Sequence, residues 1–104
     1  MTSIEERGAA FEAKFAHDAE LQFKVEARRD KIVGLWAASI LGHTGTAADT
    51  YVAGVIKSDL EEVGDLDVFR KLVADLGTRA DEDEIRSQMA MALKEAKAQI
   101  LDES

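Results

Sequence analysis

Apolar residues recur at three- and four-residue steps through four successive stretches of this 104-residue chain, with glycine at the breaks and no proline to interrupt them. That period places side chains along one face of an α-helix. Val25, Ile32, Val33, Trp36 and Ile40 form the first stripe, and Gly42 follows it directly. Val52, Val55, Ile56, Leu60 and Val63 form the second, closed by Gly64; Val68, Phe69, Leu72, Val73 and Leu76 form the third, closed by Gly77. Ile85, Met89, Leu93, Ala96 and Ile100 complete the set. Glycine tolerates the left-handed backbone at a helix end, so each of these glycines reads as a stop.

Capping residues agree with the stops. Thr46, with Asp49 three residues on, predicts the start of the second helix, and Asp65 that of the third. Asp81 with Glu84 resembles a capping box at the fourth. Nowhere do β-branched or aromatic residues alternate with polar ones over a bounded run, so no strand competes. The expectation is an all-α, four-helix bundle with a long first helix and a mobile N-terminal arm. It is one domain over 1–104, with the arm at 1–17 and the bundle at 18–104, and helices at about 18–41, 47–63, 66–76 and 82–101. A chain of this length has no room for a second core.

The long first segment sets the arm apart. At about 1.5 Å per residue, the second helix spans roughly 25 Å, whereas a helix continuous from Phe11 to Leu41 would span roughly 45 Å and outrun its neighbours. Asp18, Gln22 and Arg29 interrupt the line that would join Phe11 and Phe15 to Trp36 and Ile40. Gly8 weakens helix formation further toward the start, so residues 1–17 are expected to fray in the free protein. The rings of Phe11 and Phe15, at i and i+4 and flanked by Arg7, Glu12 and Lys14, suit helix-in-groove binding. A flap folded back on the bundle is the other reading of the same rings.

Charge and composition exclude several classes. The formal charge of −8 repels phosphate backbones. Arg28, Arg29 and Lys31, interleaved with Glu26 and Asp30, read as mixed-charge helix surface and no nucleic-acid face. Cysteine is absent, which removes disulfides, thiolate catalysis and sulfur-ligated zinc. No apolar run approaches the ~20 residues of a membrane span, and the acidic start is unlike a secretory signal, so a cytoplasmic protein without direct membrane insertion is expected.

No catalytic constellation, metal site or cofactor is expected. His17 and Asp18 are adjacent and point about 100° apart on a helix, which prevents a shared acid–base unit. The acids Asp81 to Glu84 lack the glycine and alternating ligands of a calcium loop and instead oppose the helix macrodipole. Met89 lies on the core stripe and Met91 off it. The turn containing His43, Thr44, Gly45 and Thr46 has the composition of a phosphate loop ahead of a helix, though without its lysine or strand, and is a place for weak nucleotide contact. A small helical nucleotide-binding or adaptor module is therefore the alternative class. Phe23 lies off both stripes and receives no assignment.

One resemblance is specific. Lys14-Phe15-Ala16-His17-Asp18, then Glu20-Leu21 and Phe23, then Glu26-Ala27-Arg28-Arg29 with Lys31, then Gly34-Leu35-Trp36-Ala37-Ala38 with Leu41-Gly42, resembles the ζ subunit of alphaproteobacterial F1FO-ATP synthases. Ala48-Asp49-Thr50-Tyr51 and Asp67 to Lys71 match more loosely, so the likeness covers essentially the whole chain. Before Glu12 the chain departs from the pattern, with Gly8-Ala9-Ala10 less charged and more flexible.

The resemblance implies a non-enzymatic inhibitor of ATP hydrolysis by the F1 sector. In that family the amino-terminal segment enters an α/β catalytic interface, becomes helical and reaches toward the central-stalk γ subunit as a mechanical stop in the hydrolytic direction. The partners implied are the α, β and γ subunits, with the free protein a monomer and the bound one peripheral to the inner membrane through F1. Ile4, Arg7, Phe11, Lys14, Phe15, Ala16, His17 and Asp18 are the residues implied to make the contact.

Overall fold

The structure is a computed structural model that describes residues 18–60 and 65–103. Among the described residues four α-helices follow one another: α1 Ala19–Leu41, α2 Gly45–Asp59, α3 Leu66–Leu76 and α4 Glu82–Glu103, with a 3-10 turn Gly77–Arg79 ahead of α4. They form an all-α bundle in which α1 is the central member, packed along α2 on one side and α4 on the other.

α1 ends where glycine permits it. Gly42 has φ 81°, its N–H donates to the carbonyls of Ala38 and Ser39, and the His43 N–H donates to Ala38 at 2.9 Å. These bonds satisfy carbonyls the helix itself leaves open. α2 begins two residues before the expected start. Gly45, at φ 54°, turns the chain, and the Thr44 carbonyl accepts the first bonds from Ala47 and Ala48, so Thr44 holds the cap position and Thr46 lies inside the helix. At the far end Leu60 leaves the stripe expected of it and is 61% exposed in the turn after α2. The expected helix end at Val63 and Gly64 lies outside the described residues.

α3 begins after Asp65 as expected, but the Asp65 side chain makes no cap bond. α4 has the strongest cap, with Asp81 Oδ1 accepting from the Glu84 N–H at 2.8 Å and the Asp81 carbonyl from Ile85 at 3.0 Å. Three acids in its first turn face the open amides.

The core runs in two linked clusters. Val33, Ala37, Val55, Val68, Leu72, Leu76, Ile85, Met89 and Ala92 lie at the centre, with Ile32, Trp36, Ile40, Tyr51, Phe69 and Val73 packed on its rim. Val25, Ala96 and Ile100 form a second cluster toward the start of α1, covered by Leu21, Leu93 and Leu101. The stripe residue with the largest side chain, Trp36, is only half-buried. The centre of the α1 face belongs to small residues, because α1 is pressed between two helices.

Gly34 marks the tightest approach. A methyl placed there would sit 3.3 Å from Val52 Cγ2 and 3.5 Å from Val52 Cα. Gly34→Val is therefore expected to force α1 and α2 apart and to cost about 1–3 kcal/mol in urea denaturation. An unchanged midpoint would show that the two helices have slack here.

Candidate interaction site and its buried support

The candidate contact residues divide at Asp18. Ile4, Arg7, Phe11, Lys14, Phe15, Ala16 and His17 lie outside the described residues. Asp18 is the N-cap of α1: its backbone is extended (φ −115°, ψ 103°) and its Oδ1 accepts from the Leu21 N–H at 3.0 Å. Its carbonyl accepts from the Gln22 N–H at 3.0 Å. Leu21, held by this cap, covers Val25 and Ile100. Asp18 thus has a structural task in the bundle.

The third turn of α1 is tied to the last two turns of α4. Arg28 Nη1 donates to Gln99 Oε1 and Glu103 Oε1, both at 2.8 Å, and Nη2 donates to Glu103 Oε2 at 3.2 Å. A planar guanidinium suits this two-pronged contact, and its hydrogen bonds hold the exposed Glu103 carboxyl below the usual range. Beside the clamp, Phe23 is 53% exposed and borders a shallow groove with Ala27, Ile56 and Ile100.

The second helical junction contains what the sequence reading placed on the surface. Arg29 and Asp30 are buried, at 4% and 0% exposure, and not mixed-charge helix surface. Arg29 Nε and Nη2 donate to Asp30 Oδ1 at 3.0 and 2.9 Å, and Nη2 also donates to Asp59 Oδ1 at 3.1 Å. Asp65 Oδ2 stands 3.9 Å from Nη1. One cation on α1 therefore gathers the end of α2 and the head of α3.

Burial pushes the Asp30 carboxyl up to about 8, with a hydrogen bond to Asp59 acting the same way and the Arg29 charge opposing both. Glu26 is raised for related reasons, burial first and then the Asp59 charge. The signal for this cluster was present in the spacing: Arg29 stands four residues from both Val25 and Val33, on the apolar stripe.

Between α3 and α4, Arg29, Asp65, Phe69, Arg86, Met89 and Leu93 line a cleft of about 370 Å³, with the Arg86 guanidinium 4.5 Å above the Phe69 ring. At the opposite junction His43 lies against Tyr51, 5.8 Å between ring centres. The Tyr51 hydroxyl donates to Asp75 at 2.9 Å, and burial together with that bond raises its pKa. His43, Thr44, Gly45 and Thr46 are all exposed there, and Thr44 makes no side-chain cap bond. Met91 is 63% exposed and Met89 buried, on separate faces.

Among the described residues, no group of acids, histidines or cysteines is arranged to hold a metal ion, and no helix is long and apolar enough to cross a membrane.

Comparison with known proteins places this architecture. No curated protein matches the chain. A protein whose structure was solved in solution by NMR is similar to it at 46% identity, over 81% of this chain and 99% of the other, with a TM-score of 0.73. The family described as ATPase inhibitor subunit zeta matches residues 1–99, which takes in the segment before Asp18, the first three helices and most of α4. That family is regulatory rather than enzymatic, and it implies the F1 sector of an ATP synthase as partner. A capped four-helix bundle carrying the Lys14 to Asp18 motif at its head, matched almost end to end, belongs to the ATPase inhibitor ζ subunit family.

Proposed function

We propose that this protein inhibits ATP hydrolysis by the F1 sector of a bacterial F1FO-ATP synthase by inserting residues 1–17 at an α/β catalytic interface. There the segment reaches the γ subunit and blocks rotation in the hydrolytic direction. The observation that carries this reading is the extent of the family match, residues 1–99, set against a bundle whose first helix starts at its own cap, Asp18. The family places the chain with ATPase inhibitors; the cap leaves seventeen residues ahead of α1 to make the contact.

Ile4, Arg7, Phe11, Lys14, Phe15, Ala16 and His17 are the contact residues on this reading. With the inserted segment helical, Phe11 and Phe15 share one face a single turn apart and fill apolar pockets, while Arg7 and Lys14 set orientation. The bundle remains outside the cleft as an anchor. Ordering a segment on binding costs on the order of 2–5 kcal/mol, which buried aromatic rings are suited to offset.

The test is steady-state ATP hydrolysis by F1 from the same organism, titrated with the protein. Inhibition should be complete with the full chain, and Phe11→Ala and Phe15→Ala should each weaken it by more than ~1 kcal/mol, about fivefold or more in half-inhibitory concentration. Their melting temperatures should stay near that of the parent. Equal loss of thermal stability in both variants would identify the rings as a flap over the bundle instead.

A further inference from the structure

The buried cluster of the α1–α2–α3 junction holds more negative than positive charge. Around Asp30 stand Arg29 and Glu26 from its own helix, Asp59 from the last turn of α2 and Asp65 from the head of α3. From α4, Arg86 shares the cleft with Arg29 and Asp65. Asp30 Oδ1 and Asp59 Oδ1 both accept from the same nitrogen, Arg29 Nη2. The other oxygen of Asp30, Oδ2, is enclosed and has no hydrogen-bond partner in the protein.

An ionised oxygen in that position would be desolvated and uncompensated, which is costly inside a protein. A protonated one supplies a hydroxyl beside a second carboxylate able to accept from it. Two carboxylates this close, fed by one cation, relieve their repulsion by retaining a proton.

We propose that Asp30 keeps a proton on its enclosed carboxyl beside the Asp59 carboxylate, and that this proton makes the junction a pH-sensitive latch. With the proton in place, the end of α2 and the head of α3 are held to α1 through Arg29. Its loss sets two buried negative charges against each other and loosens the junction.

The sign follows from linkage. The folded chain keeps this proton at pH values where the unfolded chain, with an ordinary aspartate near 3.8, has released it. The stabilising contribution is therefore full below about pH 4, declines as pH rises, and is exhausted once pH passes the folded value of about 8.

Two measurements test it. In carbon-13 NMR of the full-length protein, the Asp30 side-chain carboxyl carbon should titrate with a midpoint near 8, and the amide signals of Lys57, Asp59 and Leu66 should move with it. A midpoint below pH 5, or amides there that stay fixed while Asp30 titrates, overturns the latch. In parallel, Asp30→Asn supplies a permanently neutral side chain. The folding equilibrium constant of the parent should fall relative to this variant by about tenfold per pH unit between pH 5 and 7. Parallel profiles overturn the proposal, because titrations elsewhere are common to both chains and cancel. If Asp30→Asn does not fold, the carbon titration of the parent decides alone.

Discussion

Removing residues 1–17 is expected to abolish inhibition of F1 ATP hydrolysis while the shortened chain, beginning at Met followed by Asp18, melts close to the full-length protein. Every core residue of the described bundle lies at or after Leu21, and α1, the helix that follows the cut, is capped by Asp18 itself. Retaining Asp18 matters. A chain cut one residue later loses the side-chain acceptor for the Leu21 amide and should be less stable by about 1 kcal/mol. Inhibition that survives the cut would transfer the activity to the bundle surface, and a large fall in melting temperature would make the segment part of the fold. Calorimetry and F1 turnover on the same preparations separate these outcomes.

Arg29→Met should have the largest effect on stability. The substitution keeps an unbranched apolar stem but removes the guanidinium, the one cation that Asp30 and Asp59 share, leaving Asp59 buried and unpaired. Breaking a buried ion pair in this way typically costs about 3–5 kcal/mol, visible as a lower urea midpoint at pH 7. Adding Asp30→Asn and Asp59→Asn to Arg29→Met should recover much of that loss, since a neutral trio has no charge to desolvate. A single-variant cost under about 1 kcal/mol would show instead that water reaches the cluster.

The helices were legible because each signal was local. Gly42 stops α1 through bonds to carbonyls three and four residues back, and Asp81 caps α4 through an amide three residues on. Thr46 was misplaced as a cap because Gly45 turns the chain one residue before it, and a left-handed glycine cannot be told from a helical one by composition. Leu60 fitted the α2 period yet projects into the turn, where period alone has no bearing.

Arg29 and Asp30 read as surface because opposite charges alternate around them, and burying such charges is costly. That cost is met here by Asp59, thirty positions further along, and no local pattern contains such a partner. The candidate contact site rests on a different kind of signal, and apart from Asp18 its residues lie outside the described ones. Phe11 and Phe15 are four residues apart in the sequence, and only Phe15 falls within the motif that resembles the family, so spacing names the first and spacing with likeness the second, while the family match agrees on the kind of protein.

The Arg28 clamp has a mechanical consequence. By fastening the third turn of α1 to Gln99 and Glu103, it holds the amino-terminal half of α1 against the end of α4, with the entry and exit of the bundle toward one pole. A pull or push delivered along the axis of α1 from that pole must slide the helix lengthwise between α2 and α4, so the contacts along its flanks resist together and in shear. Had the first helix lain at the edge, the same load would peel it away turn by turn. On the proposed function, in which the segment ahead of α1 blocks rotation, the first arrangement serves better, and the central place of α1 supplies it.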